Sequence, residues 1–194
     1  MNALFIWGIA YVVPALCADT FIALFPERRT VVHRRNAEVM HGMLVISALA
    51  SQYVLYRMGN PFPWELNASV LVYMLSVLVA FGMIGKLGLW YGLSSLIQEF
   101  ATLSISFYLF SVFPLFVVLL LVVPVFVFSH PLRAKHWLIR LLIISFWGIA
   151  SVSLFFIFRN VWVIAALHTL LGAFFIKQNV LYPRHARYRK KHGR

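Results

Sequence analysis

The chain has 194 residues, of which 62% are hydrophobic and 11% charged, with 17 Lys and Arg against 5 Asp and Glu. Soluble domains carry roughly 25% charged residues, so this composition excludes an ordinary soluble globule, a disordered chain and a disulfide-rich secreted module. It implies an all-α integral membrane protein: one polytopic helical domain over 1–181, followed by a basic tail over 182–194.

The first apolar run extends from Ala3 to Phe25 and is interrupted by Pro14 and Asp19. It opens without positive charge and ends without a small-residue cleavage site, so it reads as a retained helix, kinked or broken near Pro14. Cys17 is the only cysteine. Within this run it reads as a small buried hydrophobe. Further runs follow over Val39–Tyr56, Ala68–Gly85, Leu87–Phe113, Pro114–Phe128, Trp137–Phe158 and Val161–Ile176. The apolar stretch from Leu87 to Phe128 is too long for one span, and Pro114 is its natural break, because proline disfavours helix in the residue before it. Gly59 to Trp64 reads as a tight outer loop with an interfacial tryptophan.

About seven spans place alternate loops on opposite sides of the membrane. On that count fifteen of the seventeen cations share one side, and only Arg57 and Arg159 fall on the other. The positive-inside rule then sets the N-terminus outside and the C-terminal tail in the cytoplasm. The expected location is a cell membrane, the bacterial inner membrane. The tail, rich in Arg and Lys from Arg184 onward, reads as a topology anchor on anionic lipid; the alternative is a lipid- or RNA-binding arm. The charge distribution points to the lipid bilayer as partner and not to nucleic acid.

Ionisable groups inside spans are costly and mark candidate sites. Glu99 lies midway along the fourth run, nearly 20 Å from Lys86 at about 1.5 Å per residue. His168 lies roughly 13 Å from Lys177 by the same measure. His130 ends an apolar run at the expected cytoplasmic boundary. All three open toward the same face, so one cavity can gather them. One carboxylate and two imidazoles suit water activation by general base catalysis, a divalent metal such as zinc, or a proton relay. The alternative is a hydrogen-bonded cluster that only fixes helix packing. Asp19 and His41 suit a structural pairing near the cytoplasmic end, and His33 and His136 receive no role.

The order and spacing of these residues resemble the CPBP family, the CAAX-protease and bacteriocin-processing group of intramembrane proteases. That family carries Glu-Glu-x-x-x-Arg, Phe-x-x-x-His and His-x-x-x-Asn on separate helices. Here Gln98-Glu99 stands at the paired glutamates, Phe126 to His130 matches the second motif, and His168 matches the third at its histidine. The resemblance covers 87–176. It implies an endopeptidase in which an acidic group activates water and the histidines position it and stabilise the tetrahedral intermediate. Gln98 takes the usual base position, Glu99 its neighbour, and His130 and His168 the histidines. Gln98 is an amide and no base. Leu103 replaces the arginine, and Gly172 replaces the asparagine.

Two readings follow from these departures. In the first, Glu99 takes over as base, and the protein cleaves a peptide or a membrane-anchored protein near the cytoplasmic face. In the second, the chemistry is lost, and the protein is a binding or assembly subunit of a membrane complex. A third class, a proton-coupled transporter using Asp19, Glu99 and His168, lacks the matched pair of broken helices that inverted repeats provide.

Overall fold

The computed structural model describes residues 3–13, 42, 45–46, 48–63, 66–128, 130, 137–178 and 180. Cys17, Asp19, His33, His41, His136, the predicted break at Pro14 and the tail over 182–194 lie outside the described residues. Among the described residues every regular element is helical.

Helix α1 covers Ala3–Trp7 and continues as a π-helical turn over Gly8–Val12. A helical stretch over 48–57 follows. Then come α2 (Ser69–Ile84), α3 (Lys86–Phe110), α4 (Leu115–Phe128), α5 (Trp137–Phe158) and α6 (Val161–Lys177). These last five match the apolar runs expected from the sequence to within a few residues. The break at Pro114 is real: α3 ends at Phe110, and α4 starts just after the proline, whose carbonyl accepts from the Val117 and Val118 N–H groups. Helices α3 and α5, with 25 and 22 residues, are long and apolar enough to cross a membrane, by length and composition.

Sequence explains the local packing. Gly88 sits so close to Ala80 that an added Cβ would strike the Ala80 backbone, so the α2–α3 hairpin closes only over a glycine. The Tyr73 hydroxyl donates to the Gly92 carbonyl at 2.9 Å across the same contact. Asn160 caps α6, its Oδ1 accepting from the Trp162 and Val163 N–H groups at 3.0 and 3.2 Å. The same side chain meets Ser69 at 2.9 Å, which ties the start of α6 to the start of α2. The two helices therefore run side by side in the same direction, and α3 returns antiparallel between them and the rest.

Pro124 lies inside α4 and cannot donate to the Leu120 carbonyl. One turn away, the Trp7 indole donates to the Leu121 carbonyl at 3.2 Å, so α1 supplies a donor beside the break. Tyr11 and Thr102 share a buried hydrogen bond of 3.1 Å, which anchors the π-helical turn to α3. The main core is built from Leu103, Val118, Val122, Val152, Phe155 and Ile164, all fully buried, with aromatic rings around them. Outward faces carry Leu78, Phe116, Leu120, Phe146 and Ile157, each more than 60% exposed. In water such a surface would be an aggregation liability; against lipid it is the expected outer face.

The hairpins put Lys86, His130, Arg140 and Lys177 at one end of the bundle. Arg159 sits at the other end, its guanidinium 5.0 Å from the Phe156 ring and 5.1 Å from the Phe107 ring. Asn60, Pro61 and Pro63, which follow Arg57, share a surface hollow with Arg159.

Candidate functional site

Helix α3 turns about 100° per residue, so Gln98 and Glu99 cannot face the same way. Gln98 lines a cavity of about 370 Å³. There its amide donates to Ser94 Oγ at 3.1 Å, one turn back. Glu99 points inward and is fully buried. Its Oε1 accepts from the Trp147 indole at 2.8 Å and meets His168 Nδ1 at 2.7 Å. Its Oε2 has no hydrogen-bond partner among the described residues. A buried unsatisfied oxygen of this kind costs on the order of 1–3 kcal/mol. Sites that keep such a cost are functional candidates.

The contact joins residues 69 positions apart and draws on α3, α5 and α6. With Trp147 and His168 both donating to Oε1, the His168 ring carries its proton on Nδ1 when neutral, and Nε2 is left as the acceptor. His168 and Trp147 belong to the cavity wall, whereas Glu99 lies behind them. The carboxylate therefore reaches the cavity only through the imidazole. Glu99 thus does not itself meet the cavity, because its helix position turns it into the bundle and leaves Gln98 on the wall.

His130 lines the same cavity from just beyond the end of α4. Its Nδ1 is 2.7 Å from the Phe126 carbonyl, one turn back. A carbonyl only accepts, so Nδ1 donates. Burial pushes the His130 pKa down to about 4, aided by the nearby His168 and opposed by the Phe126 carbonyl. His130 is thus neutral at pH 7, and its Nε2 is an acceptor. It cannot donate to an oxyanion, which is the role the family resemblance implies for it. The Phe126 ring lies between the two histidines, its centroid 4.7 Å from His130 and 6.3 Å from His168.

Gly172 explains itself through Tyr91. A Cβ at Gly172 would overlap the Tyr91 ring near its hydroxyl. Tyr91 sits edge-on to His168 at 6.0 Å between centroids and lines the cavity. Glycine at 172 thus makes room for a phenol. Leu103 is fully buried in the main core, one turn beyond Glu99. Sequence reasoning missed Trp147, Tyr91 and Arg140. A tryptophan in an apolar run carries no signal of its own, and Arg140 reads only as one of the cations sharing a side.

The expected metal set does not assemble. Among the described residues no three His, Cys, Asp or Glu side chains approach closely enough to hold an ion. Glu99 is sealed behind the wall, so of the three only the two histidines face the cavity. Two imidazoles fall short of the three protein ligands of a catalytic zinc site. No family model, curated protein or solved structure matches the chain.

Proposed function

We propose that the chain is a polytopic membrane protein in which His168, held by Glu99, acts as general base on a peptide bond presented in the cavity. Peptide-bond cleavage is the activity of the CPBP-type endopeptidases that its motifs resemble, although there an acidic group is the base. The observation that carries the reading is the 2.7 Å contact between a fully buried carboxylate and an imidazole on the wall of that cavity. His168 Nε2 takes a proton from water, and the oxygen attacks the carbonyl carbon. The C–N bond then breaks, and the imidazolium returns the proton to the leaving amine. Glu99 is a positioning residue: it fixes the tautomer and stabilises the imidazolium as it forms. Tyr91 and Gln98 are wall donors that can serve the developing oxyanion.

Around this centre we place seven spans in the bacterial inner membrane, with the N-terminus outside and the tail in the cytoplasm. The clustering of Lys86, Arg140 and Lys177 at one bundle end, opposite Arg159, supports that orientation. Reporter fusions after Arg57, Arg159 and the tail test it.

A non-catalytic assembly subunit is the second reading, and one observation favours it: the residue of the first motif that reaches the cavity is Gln98, an amide. The deciding experiment reconstitutes the chain in liposomes with a library of quenched single-span peptides. Wild type should cleave, and Glu99→Gln and His168→Gln should each slow cleavage by about 10²-fold or more. Cleavage that survives both changes refutes the mechanism. No cleavage by wild type, with a stoichiometric partner retained on purification, establishes the second reading.

A further inference from the structure

The geometry points to the cavity as the binding site of one anionic phospholipid, with its phosphate on Arg140 and an acyl chain in a lateral opening between α5 and α6. Helix α5 packs chiefly against α4, whereas α6 packs chiefly against α2 and α3. The two helices make few contacts with each other, and both line the cavity. At about 370 Å³ it falls within the size range of small-ligand sites. Three residues lining it are also outer-face residues: Leu142 is 61% exposed, Phe146 73% and Leu171 43%. A cavity whose walls continue onto the lipid-facing surface is open sideways to the bilayer.

The polar end of the cavity is defined by Arg140. It belongs to the first turn of α5, and its side chain is held in place as Nε donates to the Val180 carbonyl at 2.9 Å, just beyond the end of α6. It is 4% exposed and lines the cavity. A guanidinium keeps its charge whatever its surroundings. Arg140 is therefore a fixed cation on this wall. None of the described residues lining the cavity is acidic. Glu99 is also the last acidic residue of the sequence, while eleven of the seventeen Lys and Arg follow it. This end of the bundle, with Lys86 and Lys177 beside it, is where a bilayer places its phosphates. A phosphodiester bearing apolar chains matches both ends of the cavity. A zwitterionic lipid would bring a second cation toward the guanidinium. The inference rests on the placement of the chain in a bilayer and not on any chemistry at His168; lipid and peptide would compete for the cavity.

The test uses the full chain in a mild nonionic detergent, with native mass spectrometry of bound lipid. Phosphatidylglycerol and phosphatidylcholine of identical acyl chains are titrated in parallel, with inorganic phosphate as a third arm. Wild type should retain phosphatidylglycerol about tenfold more tightly than phosphatidylcholine, as a charge-assisted contact requires. Arg140→Gln should reduce that preference to within about twofold. Arg140→Lys should keep part of it, and Arg159→Gln, at the opposite end, should keep it in full. Equal binding of the two lipids, or an unchanged preference in Arg140→Gln, overturns the proposal. Displacement of the lipid by inorganic phosphate at the same concentration also overturns it and makes the site one for a free anion. Should Arg140→Gln not fold, Phe146→Trp, at an exposed position, narrows the opening instead and should weaken phosphatidylglycerol retention. Unchanged retention there overturns the lateral seat. Carbonate extraction of native membranes is scored separately. Extraction of the wild type as a peripheral protein would remove the bilayer placement itself, whatever the lipid result.

Discussion

Replacing Glu99 and His168 by Leu, singly and together, measures the contact on which the site rests. His168→Leu leaves Glu99 fully buried with only the Trp147 N–H at 2.8 Å, because Oε2 has no partner among the described residues. Stripping one partner from a buried pair costs about 3–5 kcal/mol. Glu99→Leu costs less, about 1–3 kcal/mol, because the histidine it strands lies on the cavity wall. The double variant loses both polar groups at once and strands only the Trp147 N–H, so it should be more stable than the sum of the singles implies. Neutral hydrogen bonds between membrane helices couple by about 0.6 kcal/mol on average and by up to about 1.7. At 2.7 Å, this one should reach the top of that range, so the expected coupling is about 1.7 kcal/mol. The assay is reversible unfolding in mixed micelles followed by circular dichroism, with all four proteins compared. Single costs that add to within about 0.3–0.5 kcal/mol would show that the two side chains do not interact, and the site would fall with them.

Three further outcomes follow from individual contacts. Gly172→Ala forces the Tyr91 ring aside and should cost about 1–3 kcal/mol of stability; adding Tyr91→Ala should recover most of the loss, and an equal loss in both backgrounds would contradict the close approach. Asn160→Ala removes the α6 cap and the Ser69 contact, and should lower stability by about 1 kcal/mol or more, read as a shifted unfolding midpoint; an unmoved midpoint would refute the cap. Ring nitrogen shifts of His130 should show a neutral imidazole protonated at Nδ1 down to about pH 5, and titration near 6.5 would refute its burial. The sign is fixed: the unfolded chain binds this proton first, so acidification from about 6.5 toward 4 should favour unfolding through this residue.

The apolar runs determined by themselves that the chain is helical, and where five of its helices lie. Hydrophobic length, proline at 114 and the Asn160 cap are local signals, and a helix satisfies its own backbone without help from distant residues. The two histidines and Glu99 were also legible as candidates, since ionisable groups stand out in apolar sequence. What the sequence could not carry is direction. Whether Gln98 or Glu99 meets the cavity depends on the rotation of α3 against α5 and α6, and adjacent residues differ by about 100°. That rotation is set by Gly88 on Ala80, by Gly172 beneath Tyr91, and by the Trp147 indole that holds Glu99 inward. Tertiary packing alone made His168 the group on the wall and Glu99 its support, kept His130 as an acceptor tied to Phe126, and brought Arg140 to the mouth of the cavity. Each depends on contacts between residues far apart in the chain, which spacing along one strand of sequence does not encode.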